Sequence, residues 1–200
     1  MGLFGKKYEN LDDEKLMQLV IAGEIKAFEA IYDRYNSLLL NFFHRMLWKD
    51  KEKAQDFMQE LFTKIIEKPQ QYCPDRPFKT WLYSIANNMC KNEYKKQEVR
   101  QEYTSVSVES LSNYSTEFDF ARLDGKTFNN LLHIELDKME ESHKTTFILR
   151  YKEDLPLNEI SRIMECSEGT VKSRLFYTLK KLSSKLQVYN PNKSEVTYGQ

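Results

Sequence analysis

PLNEISRIMECSEGTVKSRLFYTLKKLSSKL, residues 156–186, resolves into two helices that meet at a tight turn. In its first half Leu157, Ile160 and Ile163 or Met164 recur at helical spacing, which turns one stripe inward and leaves Asn158, Glu159 and Arg162 in water. Glu165, Cys166 and Ser167 then interrupt the pattern. The Ser167 hydroxyl can accept a free backbone N–H of the next turn and Glu168 suits the positive end of a helix dipole, so a second helix starts there. Its apolar stripe is Val171, Leu175, Leu179 or Thr178, Leu182 and Leu186, while Thr170, Lys172, Ser173, Arg174, Tyr177, Lys180 and Lys181 cover the rest. This is the pattern of a helix-turn-helix with a basic second helix.

The side chains on that second helix suit duplex DNA. Arg174 can fork onto a guanine edge, the hydroxyls of Ser167, Thr170 and Ser173 can reach bases or phosphates, and Lys172 and Lys181 can neutralise phosphate charge. A solvated face on a core helix can carry a similar charge run, but the turn and the polar start of the helix favour recognition.

Two hundred residues can bury one core or two small ones, and two small helical domains are expected. Lys and Arg number 30 and so do Asp and Glu, but net neutrality conceals a basic C-terminal helix and an acidic middle (Glu102, Glu109, Glu117, Asp119 and Asp124 against Arg122). Cys73, Cys90 and Cys166 form no C-x-x-C pair, which points to reduced thiols in a cytoplasmic protein without a metal site. The start of the chain has no apolar signal region, Lys6 stands where a myristoylation signal needs Ser or Thr, and no membrane insertion is expected.

Earlier in the chain, Asp12 caps a first helix, with Leu11 and Leu16 placed for a hydrophobic staple, and Gly23 ends it. A longer helix over about residues 26–48 buries Ala27, Phe28, Ile31, Tyr35, Leu38, Leu39, Phe42, Phe43 and Met46. Over residues 54–66 Ala54, Phe57, Met58, Leu61, Phe62, Ile65 and Ile66 form the buried stripe, and Asp56, Gln59, Glu60 and Lys64 the polar face. That acid and amide patch suits either water or a protein partner. Pro69 stops the helix, and Pro74 and Pro77 keep residues 70–77 as an exposed loop.

The helix over residues 78–96 buries Trp81, Leu82, Ile85 and Met89 or Cys90, and shows Lys79, Tyr83, Asn87, Asn88, Lys91, Asn92, Lys95 and Lys96 on its other faces. Amides, lysines and an aromatic ring with few acids form a surface on which unpaired bases can stack and phosphates can lie. Residues 98–125 dissolve into Ser, Thr, Glu and Asn with isolated Val106, Val108, Leu111 and Phe118, which reads as a flexible linker. The pattern resumes with Phe128, Leu131, Leu132, Leu136, Met139, Phe147, Ile148, Leu149 and Tyr151, and the segment after Asn190 reads as a loose tail. The expected organisation is therefore all-α: a helical domain over 1–97, a linker over 98–125, a helix-turn-helix domain over 126–187 and a tail over 188–200.

Several of these strings together resemble the bacterial sigma factors of the extracytoplasmic-function group. AFEAIYDRY (27–35) is similar to that family's first region-2 helix, AQDFMQELF (54–62) to its polymerase-docking segment, FKTWLYSIANN (78–88) to its most recognisable string, and residues 147–182 to region 4. The resemblance implies that Asp56, Gln59 and Glu60 face the core polymerase. It implies that Lys79, Trp81, Tyr83, Asn87, Asn88, Lys91 and Lys95 lie against the melted minus-10 element, with Gln71 and Tyr72 at a pocket for a flipped base. Ser167, Thr170, Lys172, Ser173, Arg174, Tyr177 and Lys181 fall where the family reads the minus-35 element. Core RNA polymerase, promoter DNA and an anti-sigma factor are the partners it implies, for a chain that is monomeric when free and needs no cofactor. Pro156 replaces a frequent capping Ser or Thr, Asn92 a common Asp, and Lys95 and Lys96 the usual arginines, so point charges stand in for forks.

Two other classes fit parts of this pattern. An autonomous helix-turn-helix regulator binding duplex DNA as a dimer would need symmetric half-sites but no W-L-x-x-I-A string in its first domain. An enzyme is the weaker reading: His44, His133 and His143 lack H-E-x-x-H spacing, and no phosphate-binding glycine loop is present.

Overall fold

A computed structural model describes residues 8, 10–103 and 125–186, and among them every regular element is helical. Helix α1 (Asp13–Ile21) starts at Asp12, whose carboxylate accepts the backbone N–H of Lys15 at 2.7 Å. Gly23 at φ +88° then turns the chain where a side chain would be strained. Helix α2 (Ile25–Met46) ends in two left-handed residues, Trp48 at φ 53° and Lys49 at φ 63°, and Asp50 caps α3 (Lys51–Glu67) through the Lys53 N–H.

A short 3-10 turn (Pro69–Gln71) leads to α4 (Phe78–Tyr103), whose first free N–H donates to the Glu14 carboxylate of α1 at 2.8 Å. Helices α1 to α4 pack around Leu39, Phe42, Phe43, Met46, Leu61, Ile65, Phe78 and Tyr83, all fully buried. Edge-on ring pairs, such as Phe42 with Tyr83 at 5.3 Å and Tyr35 with Phe78 at 5.5 Å, fill the centre.

The second group of helices is α5 (Gly125–Asp137), α6 (Glu141–Tyr151), α7 (Leu157–Ile163) and α8 (Glu168–Lys185). Its own small cluster joins Leu132, Leu136, Phe147 and Leu182. Ile148, Leu149, Leu155, Ile160, Ile163, Val171 and Leu175 instead belong to the same continuous apolar core as the first four helices. The two domains therefore share buried surface, chiefly between α4 and α7.

Several expectations are corrected by this packing. Leu38, Ile66 and Tyr151 lie outside the core: they stand at the edges of their stripes, where no neighbouring helix among the described residues covers them, and are 41%, 56% and 50% exposed. In α8, where the pattern left Leu179 or Thr178 open, the buried position is Thr178 and Leu179 is exposed. Helix α4 runs seven residues past the expected stop at 96, through Gln97 to Tyr103, a stretch of good helix formers with no breaker. The expectations for the start of the chain with Lys6, for Val106, Val108, Leu111 and Phe118, and for the tail lie outside the described residues. Among the described residues no helix is long and apolar enough to cross a membrane, and no group of His, Cys, Asp and Glu could hold a metal ion. All three cysteines are free thiols.

Candidate nucleic-acid and docking surfaces

The recognition helix α8 is set by its first turn. Ser167 accepts the Thr170 N–H at 3.1 Å and its hydroxyl lies 3.0 Å from that of Thr170, while Ser173 donates back to the Gly169 carbonyl at 3.0 Å. By contrast Pro156, at the start of α7, gives no side-chain cap. Val171, Leu175, Thr178 and Leu182 anchor the helix inward, and Lys172, Ser173, Tyr177, Lys180 and Lys181 face outward. Arg174 is half-buried: one guanidinium nitrogen lies 3.7 Å from the Cys166 sulfur, so the turn steadies the arginine stem. Phe176, 61% exposed and edge-on to the Tyr177 ring, adds an apolar body to this basic face. The sequence pattern had left Phe176 unassigned, although its place outside the stripe is the signal that exposes it.

On α3 the residues Asp56, Gln59 and Glu60 are exposed on one face, with Glu60 paired to Lys64 at 2.6 Å one turn on. Ile66 continues that face as an exposed apolar side chain. The patch thus combines two acids, an amide and an aliphatic group on one exposed face.

Helix α4 does not present its polar residues as one surface. Asn88 and Lys95 are exposed and Lys91 is half-buried, but Tyr83 and Asn87 are buried at 0% and 1%. The Tyr83 ring packs on Phe42 within its own domain, and its hydroxyl donates to the Glu153 carboxylate from the second domain. Asn87 donates to the Ile163 carbonyl at 3.3 Å, leaving its own side-chain oxygen buried without a partner. Lys79 donates to the Glu153 backbone carbonyl at 2.6 Å, and Thr80 to the Glu159 carboxylate at 2.7 Å. Arg45 of α2 completes the contact with a 3.2 Å ion pair to Glu153.

This junction is what the sequence pattern missed. Tyr83 and Asn87, expected on an open face, are covered because Glu153 and α7 supply the donors and acceptors they need. Arg45, Thr80, Glu153 and Glu159 gave no periodic signal, since partners 70 or more positions apart leave no spacing to read. Burial raises the Glu153 carboxyl above its ordinary range, against the opposing pull of the Tyr83 hydrogen bond, Arg45 and Lys79. Burial also raises the Tyr83 hydroxyl, with the Glu153 charge and hydrogen bond adding to it, so it stays a donor at neutral pH.

The segment before α4 is also less open than expected. Gln71 is exposed, whereas Tyr72 is 3% exposed, because its ring packs edge-on against Phe78 and Trp81 at 5.8 and 5.3 Å. Its hydroxyl donates to the Arg76 carbonyl at 2.9 Å, closing the loop on itself. Burial, then nearby acids led by Glu14, push the Tyr72 hydroxyl up to about 12. Trp81 is half-buried beside it.

Two family models match the chain, Sigma-70 region 2 over residues 31–100 and Sigma-70, region 4 over residues 136–184. The chain is 30% identical over 187 residues to the ECF RNA polymerase sigma-E factor of Haemophilus influenzae, covering 90% of this chain and 97% of that one. It is 28% identical to the RNA polymerase sigma-H factor of Pseudomonas aeruginosa, covering 88% and 94%. Its fold is similar to a chain in the structure of CnrH in complex with the cytosolic domain of CnrY, with a TM-score of 0.66 at 18% identity over 89% of this chain and 99% of that one. A chain in the complex of the sigma factor RpoE with the anti-sigma factor NepR from Bartonella quintana is likewise similar, with a TM-score of 0.66 at 20% identity over 82% and 99%.

Proposed function

The chain belongs to the extracytoplasmic-function group of the sigma-70 family, and from that premise we propose which of its surfaces meets which partner. As a sigma factor it directs core RNA polymerase to specific promoters and aids their opening. Asp56, Gln59 and Glu60 dock on the core polymerase, and the acids confer orientation as well as affinity. Ser167, Thr170, Lys172, Ser173, Arg174, Tyr177 and Lys181 meet the minus-35 element in the major groove. There Arg174 is the base reader and the lysines are phosphate contacts that fix register.

Lys79, Trp81, Tyr83, Asn87, Asn88, Lys91 and Lys95 line the path of the melted minus-10 strand. Gln71 contacts the flipped base, while Tyr72 and Trp81 form the aromatic wall behind it. Tyr83 acts through its hydroxyl, since its ring serves the core of its own domain. The chain has no catalytic step of its own. Opening draws on unpaired bases held against rings and amides and on phosphates held by lysines, which together offset unstacking. An anti-sigma factor that covers these surfaces fits the same chemistry, and the reading places the protein in the cytoplasm.

The observation that carries this proposal is the Ser167-capped helix α8, with its basic and hydroxyl side chains turned outward. Purified bacterial core polymerase on a promoter library, with and without the protein, tests it. Start-site-specific transcripts are expected only with the protein, reduced at least ~30-fold in Arg174→Ala, about 2 kcal/mol of base discrimination. Unchanged transcription in that variant, or none with the intact protein, overturns the proposal.

A further inference from the structure

The junction between α4 and the second domain has the chemistry of a nucleic-acid site already occupied. Lys79, Thr80 and Tyr83 lie within about one helical turn on α4, and Arg45 approaches them from α2. Cation, hydroxyl and phenol donors in one patch are a set that holds the oxygens of a strand backbone. In this chain the oxygens they hold belong to two glutamates. Glu153, with only 2% of its side chain exposed, takes Arg45 and Tyr83, and Glu159 takes Thr80. The Glu153 main chain takes Lys79.

The second domain is shaped to deliver these acids. Asp154, at φ 53°, reverses the chain directly after Glu153, in the left-handed conformation that Asp tolerates better than most residues. Arg150 clasps the Leu155 carbonyl at 3.0 Å and holds the turn against α6. Glu159 then follows on the first turn of α7. The contact is also built to open. A buried ion pair gains little once desolvation is counted, and the unpartnered side-chain oxygen of Asn87 is a cost that opening removes.

We propose that Glu153 and Glu159 are an internal substitute for strand phosphates, latching the free chain shut over its own minus-10 face. The inference rests on the reading above that α4 takes the melted strand. The latch leaves Asp56, Gln59 and Glu60 on α3 exposed, and the outer face of α8 as well. Polymerase can therefore begin to dock on the closed chain through α3 and draw the two domains apart as its contacts spread, whereas a single strand cannot bind until they part. Strand affinity is lowered by the fraction of chains that are open, and duplex binding through α8 is not.

The test compares the full chain with its Glu153→Gln/Glu159→Gln variant and with Glu159→Gln alone, a mild change at a half-buried position. Closure is read by energy transfer between a label on Cys73 and one on Lys138→Cys, in a Cys166→Ser background. Strand affinity is read by anisotropy with a labelled single strand of the minus-10 region selected by the transcription assay. The double variant is expected to lose transfer and to bind the strand at least ~10-fold more tightly, with Glu159→Gln between the two. Binding of the minus-35 duplex and transcription by the assembled holoenzyme stay unchanged. Unaltered transfer and strand affinity with normal transcription overturn the latch while leaving the sigma reading intact. Loss of transfer without a gain in strand affinity overturns the phosphate substitution. Absence of transcription with the intact protein overturns the sigma reading itself.

Discussion

The outer face of α8 and the polar face of α4 carry the same kinds of residue and meet opposite fates. On α8 Tyr177 is 60% exposed, while on α4 Tyr83 is wholly buried, although the sequence pattern places both off the apolar stripe of their helices. The difference lies in what the rest of the chain offers each face. Nothing among the described residues brings acids to α8, whereas Glu153 and Glu159 bring carboxylates to α4. A polar stripe on a helix thus marks a surface that needs partners, and the partner can be water, DNA or another part of the same chain.

Substituting the two tyrosines breaks the comparison most sharply. Tyr83→Ala removes a ring packed on Phe42 and should cost about 3–5 kcal/mol in urea unfolding, the range for deleting a large buried ring. A loss under about 1 kcal/mol would show that the ring is not locked in the first domain. Arg45→Ala leaves Glu153 without its cation, yet Glu153 can reach water if the domains part. The expected loss is therefore only about 1–2 kcal/mol, accompanied by lower interdomain energy transfer. Ser167→Ala removes the cap of α8 and should cost about 1 kcal/mol by the same unfolding measurement.

Acidity should move the latch by less. Glu141 of α6, beside Glu98 and Lys91 of α4 and next to Lys144 and Glu140, is raised to about 6 in the closed form, mainly by burial. At Glu141 the closed form thus holds a proton that the open form releases. Its share of closure is fully present below the ordinary glutamate range and is lost as pH rises through about 6, so energy transfer between the labelled domains should fall over that interval. A rise in transfer over the same interval contradicts this assignment. The smallest effect is expected for Tyr177→Ala, within about 0.5 kcal/mol in stability, with its cost confined to duplex binding.

Most helices were legible in the sequence because their apolar residues recur at helical spacing and two of their starts carry Asp12 and Ser167 as caps, whereas the Asp50 cap, and with it the start of α3 at Lys51, was not read. Leu38 and Ile66 were misplaced because a stripe counted at fixed spacing does not show how wide a face the neighbouring helices cover. Tyr72 was expected outside because prolines on either side signal a loop, but three aromatic rings at close spacing collapse on one another even there. The α8 surface was readable because it depends on one local turn. The α4 junction was not, since it joins Lys79 and Tyr83 to Glu153 across more than 70 positions and no periodicity spans that distance.

The most direct test is amine labelling of Lys79 and Lys181, read by mass spectrometry in the free chain, in the holoenzyme and in the holoenzyme on promoter DNA. Lys181 should react readily in the free chain and Lys79 slowly. Lys79 should become several-fold more reactive in the holoenzyme as the Glu153 carbonyl leaves it, and both should be protected on the promoter. A Lys79 equally reactive in the free chain and the holoenzyme, or left reactive on the promoter, contradicts the account.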